Sequence, residues 1–188
     1  MPSDEKVIIF IDGSNFYHGL KKNHGKARIN FEKLANKLSN DRKLIRTYYY
    51  NVPIDQNEDP CRYREQQKFF SSLDKVPYFE TTLGRLVRRE RTSTCSKCAH
   101  QERIIVHNEK GIDVNTAVDM LTMAVKGLYD TAILISGDGD FDKAIKAVKD
   151  LGKHVENAYF TKGHSKQLMR ICDRFIELNG AYLQDCWL

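Results

Sequence analysis

Two short apolar runs constrain this chain more than any other feature. KVIIFID at 6–12 and TAILISG at 131–137 carry apolar residues without alternation. A strand with one wet face alternates; a strand buried on both faces does not, and such strands belong to parallel sheets covered by helices on either side. Each run gives way to polar residues, with Asp12 closing the first and Gly137-Asp138 following the second.

The intervening segments fit that plan. Asn30 is a natural cap for a helix to about residue 39, with Phe31, Leu34, Ala35 and Leu38 on one face. Residues 44–52 are aromatic and β-prone, 61–74 read as a helix, and 76–82 as a third strand. Residues 83–107 predict a hairpin tipped by STCSKCAH. The run 111–128 places Val114, Ala117, Val118, Leu121, Ala124 and Val125 at helical spacing, with Asp113 as expected N-cap and Gly127 as stop. A helix ended by Gly152, a strand at 154–160 and a last helix from Ser165 to about residue 178 follow, and the terminal YLQDCWL is apolar enough to dock back as a strand or cover. Alternating β and α predicts an open parallel sheet covered on both faces.

The chain has 188 residues, 41% hydrophobic and 29% charged, a globular composition. That length predicts one domain over 1–188 with a hairpin insert at about 84–107. No apolar run approaches the roughly 20 residues of a membrane helix. The opening MPSDEKVIIF carries acids where a signal peptide needs bases, so a cytoplasmic location is expected, with no membrane partner. The five cysteines are odd in number and scattered, which argues against a disulfide framework. Lys and Arg total 30 against 25 Asp and Glu, a net charge of +5 that permits nucleic acid as a partner without requiring it.

The acids carry the chemistry. Right-handed crossovers make 6–12 and 131–137 central neighbours if strand order reverses beside the first strand, and ligands then bind beyond the carboxyl ends. Asp12, Asp138 and Asp140 stand at those ends, and the 111–128 helix brings Asp113 and Asp119 to the same edge. The latter two are six residues apart and do not share one face, so at most one points to the centre. Two carboxylates 4 Å apart repel by about 4 kcal/mol at an effective dielectric of 20, which a divalent cation relieves. Oxygen ligands without Cys or His favour Mg²⁺ or Mn²⁺, and such a site suits phosphodiester hydrolysis. The alternative for Asp113 and Asp138, each taken alone, is a helix cap or turn residue.

IDGSNFYHGL, EKGIDVNTAVDM and LISGDGDFDKAIKAVKDLGKHVE, in that order, resemble the NYN domain proteins, in the LabA-like branch of the PIN-like nuclease superfamily. The likeness runs over about residues 6–180. It implies a Rossmann-like (PIN-like) α/β/α sandwich with a central mainly parallel sheet, and a Mg²⁺ or Mn²⁺ cluster that hydrolyses RNA by metal-activated water, leaving a 5′-phosphate and a 3′-hydroxyl. Under it Asp12 is the first-strand ligand, Asp119 the acid of the central helix, Asp113 the further acid of the NYN pattern, and Asp138 and Asp140 the ligands after the fourth strand. Asn15 holds the first loop or the scissile phosphate, and Ser136 positions water or phosphate. The alternative is a non-catalytic RNA-binding or regulatory module of the same fold. An aspartyl phosphatase fits poorly because Ser14 stands where a second acid is needed, and no GxGxxG follows the first strand for a dinucleotide.

The CxxC-tipped insert departs from the family pattern. Cys95 and Cys98 are half a structural Zn²⁺ site; His100, His107, Cys61 or a second copy in a homodimer are candidates for the rest, and a tip with two exposed thiols is the alternative. Arg85, Arg88 and Arg89, with Arg91, are candidates for a phosphate-tracking edge; Lys110 is placed to meet a phosphate and Tyr17 to stack on a base. Cys172 and Cys186 read as buried hydrophobes, and His18, His24, His154 and His164 as structural or surface residues.

Overall fold

The computed structural model describes residues 3–94, 98 and 101–188. Its main sheet has six strands in the order β3-β2-β1-β6-β7-β8. They are β1 (Ser3–Asp12), β2 (Arg42–Asn51), β3 (Phe79–Leu83), β6 (Thr131–Ile135), β7 (His154–Tyr159) and β8 (Arg174–Glu177), and every adjacent pair is parallel. A two-stranded antiparallel sheet, β4 (Arg85–Thr94) with β5 (Gln101–Lys110), forms the expected hairpin insert. The helices are α1 (Gly13–His24), α2 (Phe31–Ser39), α3 (Pro60–Leu73), α4 (Ile112–Val125), α5 (Asp142–Asp150) and α6 (Leu168–Ile171). Among the described residues no helix is long and apolar enough to cross a membrane.

β1 shows why its sequence does not alternate. Val7, Ile9 and Ile11 enter one core with α1, α2 and α3; Ile8 and Phe10 enter a second with α4, α5 and α6. Side chains alternate between the faces, and both faces are dry. The crossovers run outward from β1 in opposite directions, so right-handed connections put one set of helices on each face. Strand order therefore reverses between β1 and β6, whose register pairs Ile11 with Ile135. Asp12 and Ser136 follow at the carboxyl ends, where the open α/β plan places its crevice.

Several local expectations need correction. Residues 13–24 form a helix that apolar spacing did not reveal, because it buries only Gly13, Phe16, Gly19 and Leu20. The third strand starts at Phe79, not 76. Asp113 is no cap: Gly111, with φ of 92°, precedes the helix, and Asp113 lies in the first turn. The buried side of α4 is Ile112, Thr116, Met120 and Ala124, while Val114, Val118 and Val125 are exposed. The expected last helix is four residues long and then becomes edge strand β8. Lys149 Nζ donates to the Ile171 carbonyl at 2.7 Å, and Asp173 accepts the Val155 N–H at 2.9 Å, so the chain leaves the helix and joins β7. The terminal segment serves as cover, with Leu183 and Cys186 buried and Trp187 bridged to Ile29.

Candidate functional site

Asp12 ends β1 and caps α1 at once. Its Oδ1 accepts the Asn15 N–H at 3.0 Å, and the helix N-terminus favours the negative charge. Its Oδ2 faces the Ser136 hydroxyl at 3.3 Å, and that hydroxyl accepts the Asp138 N–H at 3.1 Å. The Asn15 side chain crosses to β6, where Oδ1 accepts the Gly137 N–H at 2.9 Å. Gly137 itself is pressed against the Gly163 carbonyl, and a Cβ there would collide with it. Asp138 caps the short turn that follows by accepting the Asp140 N–H at 3.0 Å. Buried Asn157 of β7 locks the β6 end from the other side: Nδ2 donates to the carbonyls of Leu134 and Ser136 at 3.0 and 2.9 Å, and Oδ1 accepts from His164 Nε2 at 2.9 Å.

A cleft of about 410 Å³ opens over this network. Asp12, Asp113 and Asp138 line it, together with Asn15, His18, Lys22 and Lys162. Asp12 is only 6% exposed. Burial pushes its carboxyl up to about 6, and the charges of Asp113 and Asp138 push the same way, against the hydrogen bonds from Asn15 and Ser136. Asp113 is also raised, by partial burial and then by Asp138 and Asp140. Asp138 thus adds to the cost of charge on both Asp12 and Asp113.

These donors fit a hard dication: all are oxygens, and the innermost resists carrying its charge alone. Among the described residues, no three His, Cys, Asp or Glu side chains are grouped so as to hold an ion as they stand. Asp140 is exposed and acts on Asp113 without lining the cleft. Asp119 is not brought in: its carboxylate accepts the buried Tyr50 hydroxyl at 2.9 Å. This agrees with a six-residue spacing that cannot aim both helix acids at one point.

Arg85, Arg88, Arg89 and Lys110 are exposed on the hairpin and do not line the cleft. Arg85 pairs with Lys110 in register at its base. Tyr17 is exposed beside His18, whose ring it meets edge-on at 5.4 Å. Cys95 and His100 lie outside the described residues, as does the side chain of His107; Cys98 and Cys61 are exposed. Sequence reasoning missed Lys22, Lys162, Asn157 and the cleft position of His18. Asn15, His18 and Lys22 recur at helical spacing, and recognising Asp12 as the cap of α1 would have shown them on one face.

The acids stand at the strand switch of a parallel α/β sheet. The NYN domain model matches residues 6–179, and the chain belongs to that family. It is similar to low amplitude and bright protein LabA of Synechococcus elongatus, with 25% identity over 176 residues, covering 93% of this chain and 84% of that one. A crystal structure of a protein of unknown function from Vibrio parahaemolyticus shares the fold, with a TM-score of 0.70 and 22% identity over 95% of this chain and 97% of that one.

Proposed function

We propose that this protein is a divalent-metal-dependent ribonuclease whose reaction centre is the cleft at Asp12. The observation that carries the reading is the convergence of Asp12, Asp113 and Asp138 on one cleft, with the buried Asp12 pushed up to about 6. A site that raises the cost of its own negative charge is complementary to a cation. Asp12 and Asp138 would hold the ion, with Asp113 and Asp140 adding charge. The chemistry such an ion supplies is acidification of a water and neutralisation of charge at a phosphoryl group.

The chain's own residues do the rest. Ser136 and Asn15 fix the two strand ends relative to each other, so Asp12 and Asp138 are held before substrate arrives. The Asn15 and Ser136 side chains are engaged in that scaffold, so their proposed part is positioning rather than phosphate contact. Asp119, tied to Tyr50, has no part in this reading. Incubation of labelled single-stranded RNA with Mg²⁺, Mn²⁺ or EDTA tests it: cleavage with either ion, none in EDTA and none for Asp12→Asn is expected. A second reading, RNA binding without cleavage, is favoured by the spacing of the acids, which are not grouped for an ion as they stand among the described residues. Retained RNA without product in Mn²⁺ would establish it. Structural zinc at Cys95 and Cys98 is a further proposal, checked by metal analysis of protein purified without added metal.

A further inference from the structure

The cleft has a second chemical half that the proposed reaction leaves unused. Lys22, in the last turn of α1, and Lys162, in the loop after β7, line the same cleft as the acids. Asn23 joins their two segments. Its Nδ2 donates to the Lys162 carbonyl at 3.2 Å and to the Gly19 carbonyl at 2.9 Å, and its Oδ1 accepts the Lys162 N–H at 3.0 Å. Gly19 is packed so closely on the Phe160 ring that a Cβ would strike it. Helix and loop are therefore one wall, built by hydrogen bonds and contact.

Neither lysine makes an ion pair among the described residues. Two lysines that line one cleft without an ion-paired carboxylate among the described residues suit an anion. A volume of about 410 Å³ is that of a small-ligand pocket, the size to take a nucleotide or two.

We infer that Lys22 and Lys162 form a phosphate subsite that holds the backbone of a single nucleic-acid strand next to the phosphodiester presented to the acids. The inference rests on reading the cleft as a nucleic-acid site, and binding separates it from cleavage. The experiment is an anisotropy titration of a labelled short single-stranded RNA in EDTA across a salt series. It compares wild type, Lys22→Gln/Lys162→Gln and Lys22→Arg/Lys162→Arg, with a duplex of the same sequence as a further arm.

Losing two phosphate contacts should weaken binding about tenfold and lower the log–log salt slope by about 1.4, at about 0.7 per contact on a single strand. The arginine pair should restore the slope, the duplex should bind more weakly than the strand, and Mn²⁺ binding measured by calorimetry should not change. An unchanged salt slope in the glutamine pair overturns the subsite. A duplex bound as tightly as the strand overturns the substrate class, and altered Mn²⁺ binding with unaltered RNA binding returns the lysines to a role in balancing the acids. Wild type that binds through these lysines but never cuts leaves the subsite standing and removes the nuclease; wild type that cuts while the glutamine pair binds normally does the reverse.

Discussion

Asp12 carries the most consequence of any residue here. Its folded carboxyl is pushed from the ordinary 3.8 up to about 6, first by burial and then by its charged neighbours. The folded chain therefore keeps a proton between pH of about 4 and 6 that the unfolded chain has released, so the metal-free protein loses stability as pH rises through that window. The loss is at most about 3 kcal/mol and is complete above pH of about 6. Asp12→Asn removes that charge, and in EDTA near neutral pH it should melt above wild type, with a gain of about 2 kcal/mol before the Ser136 contact is subtracted. Denaturant titrations on either side of the window check the sign; a variant less stable than wild type near neutral pH contradicts the account of a charge disfavoured by burial and by its acidic neighbours. Under the proposed function, protons and cation would compete for the same oxygens, so the apparent Mn²⁺ affinity of wild type should fall by up to about tenfold per pH unit below about 6, read by calorimetry. Asp12 and Asp138 were legible because each stands at the carboxyl end of a strand whose apolar run announces a buried sheet. The isolation of Asp119 was not, since its Tyr50 partner arrives from a strand remote in sequence.

At the scale of elements, α4 separates what periodicity can and cannot tell. The segment is apolar on most sides, so helical spacing identifies a helix without identifying its buried face. Docking chose Met120, fully buried, and left Val118 54% exposed. Met120→Ala should cost about 2–5 kcal/mol, whereas Val118→Lys should stay within about 0.5 kcal/mol, both read from urea unfolding midpoints. α1 failed to stand out for the opposite reason: it is mostly polar, and its start is written in the cap at Asp12 rather than in an apolar stripe. The segment after Ser165 has helical spacing too, yet the unpaired edge of β7 captured it through Asp173 and the β8 ladder.

For the molecule as a whole, the parallel sheet is secured away from the cleft by Arg42, whose Nη1 and Nη2 both reach Glu156 at 2.9 Å while Nη1 also meets Glu5 at 3.2 Å. Arg42 and Glu156 are almost enclosed, so Arg42→Ala leaves the Glu156 carboxylate only the exposed Arg174 at 3.7 Å and should cost up to about 3–5 kcal/mol in thermal or denaturant melts. The hairpin belongs to a separate small sheet, with Arg85, Arg88 and Arg89 exposed. Arg88→Glu/Arg89→Glu should weaken RNA binding and flatten its salt dependence without altering the melting of the main sheet. An unchanged salt slope would take the arm out of the binding surface.

Uninterrupted apolar strands, caps and glycine stops are local physics, and they sufficed for the α/β class and for placing Asp12 and Asp138 at strand ends; the reversal beside β1, which sequence reasoning took only as a condition, is decided by the sheet order. Which helix face is wet, whether a short apolar segment pairs as strand or coils, and which lysines share a cleft with which acids depend on contacts between segments far apart along the chain. Those contacts compete for burial and for hydrogen-bond partners only after the sheet has assembled.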